Sequence, residues 1–251
     1  MNFGTPIAIG NTAEIYLYQN KIYKVFKDYL PETESILESE KQKYAYSFGL
    51  PVPKIIDVTK INGKQAIIME YIKGRSIGDI LSENMEQAEY YMNILVQIHQ
   101  KIHKVEAEVD SIKPMKEKLS RQINSTNILS NRHKSVLIQK LNNITFKSRL
   151  CHGDYHPFNV IMTDNNATII DWVDASAGDI RADVYRTYLL YSQVSTELAE
   201  MYLDLYCERS GLEKDEVLQW APIIAAARMA ENVPAEDSKR LLAIINQSCP
   251  L

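Results

Sequence analysis

Two periodicities divide the chain near residue 74. Ahead of it, short β-branched and aromatic runs alternate with turn residues. Glu14–Tyr18 and Lys21–Phe26 flank Gln19-Asn20, while Lys54–Val58 and Gln65–Glu70 flank a segment holding Asn62-Gly63. Such runs read as strands, and Asn-Gly is a strong tight-turn signal. Between the two pairs, Pro31 to Phe48 is helical in character and stops at Gly49 and the extended Pro51-Val52-Pro53. Beyond Gly74, apolar residues recur at helical spacing. Ala88, Met92, Leu95, Ile98, Ile102 and Val105 mark a helix over Glu83–Val105, and Lys113–Leu141 and most of Asp179 to Ile245 read the same way. One hairpin interrupts, with Val160–Thr163 and Ala167–Ile170 on either side of Asp164-Asn165-Asn166. The pattern predicts an α+β fold of two lobes. Residues 1–72 form a small antiparallel-sheet lobe with one helix, and residues 73–251 a larger, mainly helical lobe carrying the hairpin.

Composition excludes more than it assigns. The 251 residues suffice for two lobes, and 45% hydrophobic with 24% charged residues is ordinary for a globular chain. A net charge of −4 gives no footprint for nucleic acid. No uncharged apolar run approaches the ~18 residues of a membrane span. Met1–Gly10 lacks the basic start and apolar core of a signal peptide. Cys151, Cys207 and Cys249 form no metal or redox pattern, so reduced thiols and a cytoplasmic location are expected.

The chemistry concentrates in His152-Gly153-Asp154-Tyr155-His156-Pro157-Phe158-Asn159, with a further carboxylate at Asp171. Asp-x-x-x-x-Asn is the spacing of a kinase catalytic loop, in which the Asp takes the acceptor hydroxyl's proton and the Asn holds a metal. If the hairpin turns about Asn165, Asn159 and Asp171 are equidistant from it and become cross-strand partners, with Cβ atoms roughly 5 Å apart. Two oxygen donors so placed could share Mg²⁺. Two other readings compete. His152, Asp154 and His156 could be a transition-metal cluster, although His99, His103 and His133 show no matching pattern; or Asn159 could simply cap a turn and Asp171 end a strand.

Upstream residues suit a nucleotide. Lys24 shares a strand face with Ile22 and Phe26, where an ammonium needs a partner. In the following helix Ile36, Leu37, Glu40 and Tyr44 fall on one stripe, making Glu40 the expected partner and Glu38 the alternative. Ile9-Gly10-Asn11-Thr12-Ala13-Glu14 could close over phosphates through its N–H groups and the Thr12 hydroxyl, or be an ordinary turn. The Glu70 carbonyl and Ile72 N–H could meet an adenine edge where the small lobe ends; water would serve them equally.

With these pieces in order along the chain, the sequence resembles the aminoglycoside phosphotransferase and choline kinase-like small-molecule kinases, which share the protein-kinase fold. The matching segments are Gly10 to Tyr16, Lys24, Gly49 to Pro53, Met69 to Gly74, His152 to Asn159, Ile170-Asp171-Trp172 and Gly178-Asp179. The resemblance implies ATP and Mg²⁺, with Asp154 as catalytic base, Asn159 and Asp171 as metal ligands, and Lys24 with its glutamate on the phosphates. It implies Asp179 as a brace of the catalytic loop, a residue equally explained as an exposed helix N-cap. His99 resembles a family histidine behind that loop, read as structural. The expected function is phosphoryl transfer from ATP to a hydroxyl of a small molecule. The alternatives are a nucleotide-binding protein without transfer activity and an atypical protein kinase. Gly178-Asp179 follows Asp171 within eight residues, leaving little room for a peptide-docking segment. For the acceptor, Glu197, Glu200, Asp204 and Glu208 form a helical acidic row, and Tyr185, Tyr188, Tyr191 and Trp220 could wall a pocket; a solvated face and a core are the plainer readings.

Overall fold

The computed structural model describes residues 3–108, 111–164, 166–233 and 236–248; Asn165 and Cys249 lie outside the described residues. The chain divides into two compact units. One comprises the residues through Asn84 together with Pro157–Asp174; the other comprises Met85–His156 and the chain from Ala175 onward.

In the first unit, β1 (Ala8–Ile9), β2 (Ala13–Tyr18), β3 (Lys21–Phe26), β4 (Ile55–Ile61) and β5 (Lys64–Glu70) form an antiparallel sheet in the order β1-β2-β3-β5-β4. Both tight turns carry left-handed residue pairs, Gln19-Asn20 and Asn62-Gly63, the conformation that matches strand twist. Alternation then sorts the faces. Tyr23, Val25 and Ala66 pack on one side, and Ala13, Phe26, Ile67 and Met69 on the other. α1 (Glu34–Ser47) follows β3, and its Gln42 amide donates to the Pro53 carbonyl at 2.7 Å. After β5 come β6 (Arg75–Ser76) and α2 (Ile77–Glu83), whose N-cap Ser76 accepts the Asp79 N–H. β6 pairs with the hairpin β8 (Val160–Met162) and β9 (Ala167–Ile169). Gly74 permits this pairing, because a Cβ there would lie 2.1 Å from the Met162 carbonyl oxygen.

The second unit holds α3 (Ala88–His103), α4 (Met115–Ser125), α5 (Asn131–Asn143), α6 (Ile180–Ser192), α7 (Thr196–Ser210), α8 (Lys214–Leu218), α9 (Ala221–Met229) and α10 (Ser238–Ser248). A two-stranded antiparallel ribbon, β7 (Arg149–Cys151) with β10 (Ser176–Gly178), sits among them. Met92, Leu95, Val96 and Ile102 make the inner face of α3, as their spacing predicts. One predicted helix starts later than expected and another is interrupted. Asn84 turns extended after α2, so Glu83 ends one helix and α3 starts only at Ala88. Thr126, also extended, separates α4 from α5. No helix among the described residues is long and apolar enough to cross a membrane.

Candidate active site

In the first unit, strand alternation turns Lys24 to the face of Phe26, where it is almost wholly enclosed. Its ammonium lies 2.7 Å from Glu38 Oε1 and 2.9 Å from Asp171 Oδ1. Burial alone would lower the Lys24 pKa; the charges of Glu38 and then Asp171 more than offset this and hold it above the usual lysine range. The partner is therefore Glu38, and the expectation of Glu40 is corrected. The reason is that the inner stripe of α1 is polar: Ser35, Glu38, Ser39, Gln42 and Ala45 are buried, whereas Ile36 is about half exposed and Glu40 is exposed. The apolar residues misidentified the inward face. Replacing Lys24 by Met is expected to strand the Glu38 charge, at a cost of about 3–5 kcal/mol. A urea titration reads this as a lower midpoint, and adding Glu38→Gln should recover most of it.

The hairpin register differs from expectation by one residue. Val160 faces Ile169 and Met162 faces Ala167, so Asn159 stands opposite Ile170, whose N–H donates to the Asn159 carbonyl at 3.0 Å. The turn spans four residues and is closed by the Thr163 N–H to the Asn166 carbonyl at 2.8 Å. Asp171 is thus not the cross-strand partner of Asn159 but the next residue on, and it leaves the pairing in a left-handed conformation, φ 63°. Asp tolerates that region better than most residues. Thr12 sits in the β1–β2 connection, its carbonyl accepting the Lys27 N–H at 2.9 Å. Glu70 ends β5, and Ile72 lies beyond the sheet.

The second unit builds the loop that carries Asp154. β7 delivers Cys151, and Gly153 turns the chain at φ 82°, a conformation suited to glycine. Asp183 on α6 anchors the loop: its Oδ2 accepts the His152 N–H at 2.7 Å and its Oδ1 the Gly153 N–H at 2.8 Å. His99 and His103, one helical turn apart on α3, each place Nε2 3.0 Å from Asp183 Oδ2. Because a carboxylate only accepts, both Nε2 atoms carry protons. The His99 Nδ1, on a ring that is neutral, accepts from the Tyr202 hydroxyl at 2.7 Å, and the His103 Nδ1 shares a hydrogen bond with the Tyr206 hydroxyl at 2.5 Å. Burial, then His103, push the His99 pKa down to about 3, so the ring is neutral. Burial alone would raise the Asp183 pKa, yet the hydrogen bonds from His103 and His99 hold it well below the usual range.

Asp183, not Asp179, is the brace. Asp179 caps α6 through the Arg181 N–H at 2.9 Å and pairs with the Arg181 guanidinium at 2.6 Å. It is 2% exposed, so the N-cap reading holds but the exposed position does not. His99 is structural, as expected. The view that the remaining histidines form no cluster is also corrected: His99, His103 and Asp183 converge, although their donors and acceptors already satisfy one another. Sequence reasoning missed Asp183 and Arg186. Their signal is that α6 is apolar around most of its girth, so charges within it must be paired.

Asp154 itself is partly open, its side chain 24% exposed. His156 Nε2 stands 3.5 Å from one carboxylate oxygen and Arg186 Nη2 3.9 Å from the other. Arg186 also donates to the Gly153 carbonyl at 3.2 Å and to Glu231 at 2.8 Å. Burial would raise the Asp154 pKa, but His156 and then Arg186 outweigh it and keep the carboxylate ionised. The acceptor cues resolve plainly. Tyr185, Tyr191 and Trp220 are buried core, and α7 buries Tyr202, Leu203 and Tyr206 on the face away from its acids. Glu200 and Asp204 pair with Lys214.

An antiparallel sheet whose buried lysine is paired to a helix glutamate, and a helical unit presenting an ionised aspartate on a braced loop, define a phosphotransferase of α+β fold. The chain belongs to the phosphotransferase enzyme family, whose match spans residues 24–220. Among solved structures, it is similar to a thermostable mutant of aminoglycoside phosphotransferase APH(4)-Ia in ternary complex with ADP and hygromycin B. The identity is 11% and the TM-score 0.71, with 98% of this chain and 94% of that one covered. It is also similar to choline kinase LicA from Streptococcus pneumoniae, at 18% identity and TM-score 0.64, covering 96% and 91%. ADP-bound aminoglycoside phosphotransferase APH(2'')-Ib gives 16% and 0.62, covering 97% and 90%. At these identities the likeness establishes the fold. No curated protein matches the chain in sequence.

Proposed function

We propose that this chain transfers the γ-phosphoryl group of ATP to a hydroxyl of a small molecule in the cytoplasm, where Cys151 and Cys207 remain free buried thiols. The observation that carries the reading is the ion triad in which buried Lys24 joins buried Glu38 to the partly exposed Asp171. Lys24 would contact the nucleotide phosphates, with Glu38 fixing its direction. The Thr12 loop would lie over the phosphates, and the Glu70 carbonyl and Ile72 N–H would receive the adenine edge. Asp154 would accept a hydrogen bond from the substrate hydroxyl and align it for attack.

Asn159 and Asp171 would hold Mg²⁺. The donor set fits a hard cation: Lys24 takes one Asp171 oxygen, the other has no hydrogen bond among the described residues, and the side chain is 38% exposed. When bound, the ion would neutralise charge on the phosphate oxygens. The acceptor class follows less closely, because the acidic row on α7 is partly neutralised, and Tyr185, Tyr191 and Trp220 are buried while Tyr188 donates to Glu200. An ADP-release screen with Mg²⁺ over aminoglycosides, amino alcohols, sugars and nucleosides, with Asp154→Asn as the blank, tests the proposal. Acceptor-dependent release above the blank is expected. Nucleotide binding with no release on any acceptor would favour the binding-only alternative.

A further inference from the structure

We infer that Lys41 is a positioning residue for the Asp171 carboxylate, setting how tightly a divalent ion is held; this rests on the metal role proposed above. The argument begins from Asp171's backbone. A left-handed non-glycine residue persists only where its surroundings fix it. On the upstream side the Ile170 N–H bonds to the Asn159 carbonyl, and the buried Trp172 indole donates back to the Ile169 carbonyl at 3.4 Å. The carboxylate itself is held by Lys24. Downstream, the chain turns through Val173-Asp174, and there the Lys41 ammonium donates to the Val173 carbonyl.

Lys41 and Glu38 are three residues apart on α1, neighbours on its surface. The helix therefore grips Asp171 twice: Glu38 acts on the carboxylate by way of Lys24, and Lys41 acts on the backbone two residues later. Without the second grip, the turn after Asp171 is free to relax toward an ordinary conformation, and the free carboxylate oxygen swings with it. Lys24 alone cannot prevent this, because a single ion pair fixes one oxygen and not the backbone torsion. Groups outside the ligands of a metal commonly change its affinity by about 10–100-fold when lost.

The test uses Mn²⁺ as the probe, followed by loss of its free electron-paramagnetic-resonance signal in the presence of ADP, with the full chain. Lys41→Met is expected to weaken Mn²⁺ binding about tenfold, while Lys41→Arg, which keeps a donor, stays within about threefold of the parent. Affinity for ADP in EDTA, read by calorimetry, should be unchanged in both. Lys41→Gln replaces Lys41→Met if thermal unfolding shows the latter does not fold. Unchanged Mn²⁺ affinity in Lys41→Met, or an equal loss of metal-free ADP affinity, overturns the inference. A parent that binds ADP but no Mn²⁺ overturns instead the metal role on which it rests.

Discussion

Asp154→Asn should fold, bind nucleotide as the parent does, and lose phosphoryl transfer by about 10²–10⁴-fold in kcat, the usual contribution of a positioned proton acceptor. The side chain is partly open and the amide nearly isosteric, so packing barely changes. Arg186 keeps Glu231 at 2.8 Å and the Gly153 carbonyl, and it is not left as a lone buried cation. What disappears is a full negative charge that only accepts. An Asn in its place presents an NH₂ group to the incoming hydroxyl on one of its two sides and attracts the proton far less. The loss should fall on kcat with the KM for ATP nearly unchanged, since Asp154 contacts the acceptor in this scheme. Because His156 and Arg186 hold Asp154 ionised, its titration should not set the acid limb of the parent's rate profile above pH 5. Steady-state ADP release across pH 5–8 checks both points. A variant that keeps a tenth of the parental rate would falsify the assignment.

What was legible in the sequence follows range of interaction. The strands and tight turns were read correctly because Asn62-Gly63 and the alternation around Lys24 act within a few residues. The Lys24 face was read correctly for the same reason. Its partner is not legible in the same way, because hydrophobicity does not mark the inner face of α1. There the helix meets a polar environment, including the Gln65 side chain, whose oxygen accepts the Ser35 N–H at 3.1 Å, and so it turns Ser35, Glu38, Ser39 and Gln42 inward. The hairpin was placed correctly but its register was not, because the centre of a four-residue connection cannot be told from that of a three-residue one by composition. The brace was least legible. Asp183 meets His99 and His103 from 84 and 80 residues away, and each histidine meets its tyrosine across 103 residues. No local pattern encodes such meetings; only the presence of charges inside a buried helix announces that partners exist.

That brace carries the largest expected effect on stability. Asp183→Ala removes the acceptor of four hydrogen bonds, two from the loop backbone and two from imidazoles. Each buried donor left unsatisfied costs about 1–3 kcal/mol, against a total stability of about 5–15 kcal/mol for an ordinary domain. Global destabilisation of several kcal/mol is expected, with the Asp154 loop released first. Asp183→Asn should lose markedly less. Its carbonyl can stand in the Oδ2 position and still accept from the His152 N–H and both imidazoles, so only the Gly153 N–H loses its acceptor to the NH₂. Urea unfolding of the two variants decides the matter: equal losses would mean that the charge, rather than hydrogen-bond acceptance, holds the loop. The same cluster sets the acid response of the parent. His99 has a folded pKa near 3 against about 6.5 when unfolded, so below pH 6.5 the unfolded chain binds the extra proton and stability falls as pH drops toward 3. Asp183, held below the ordinary carboxylate range, adds a loss only below about pH 4. The urea midpoint should therefore decline already between pH 6.5 and 5, before Asp183 titrates. A midpoint that stays level down to pH 5 would mean that His99 is charged in the folded chain and that the Tyr202 hydroxyl acts as acceptor rather than donor.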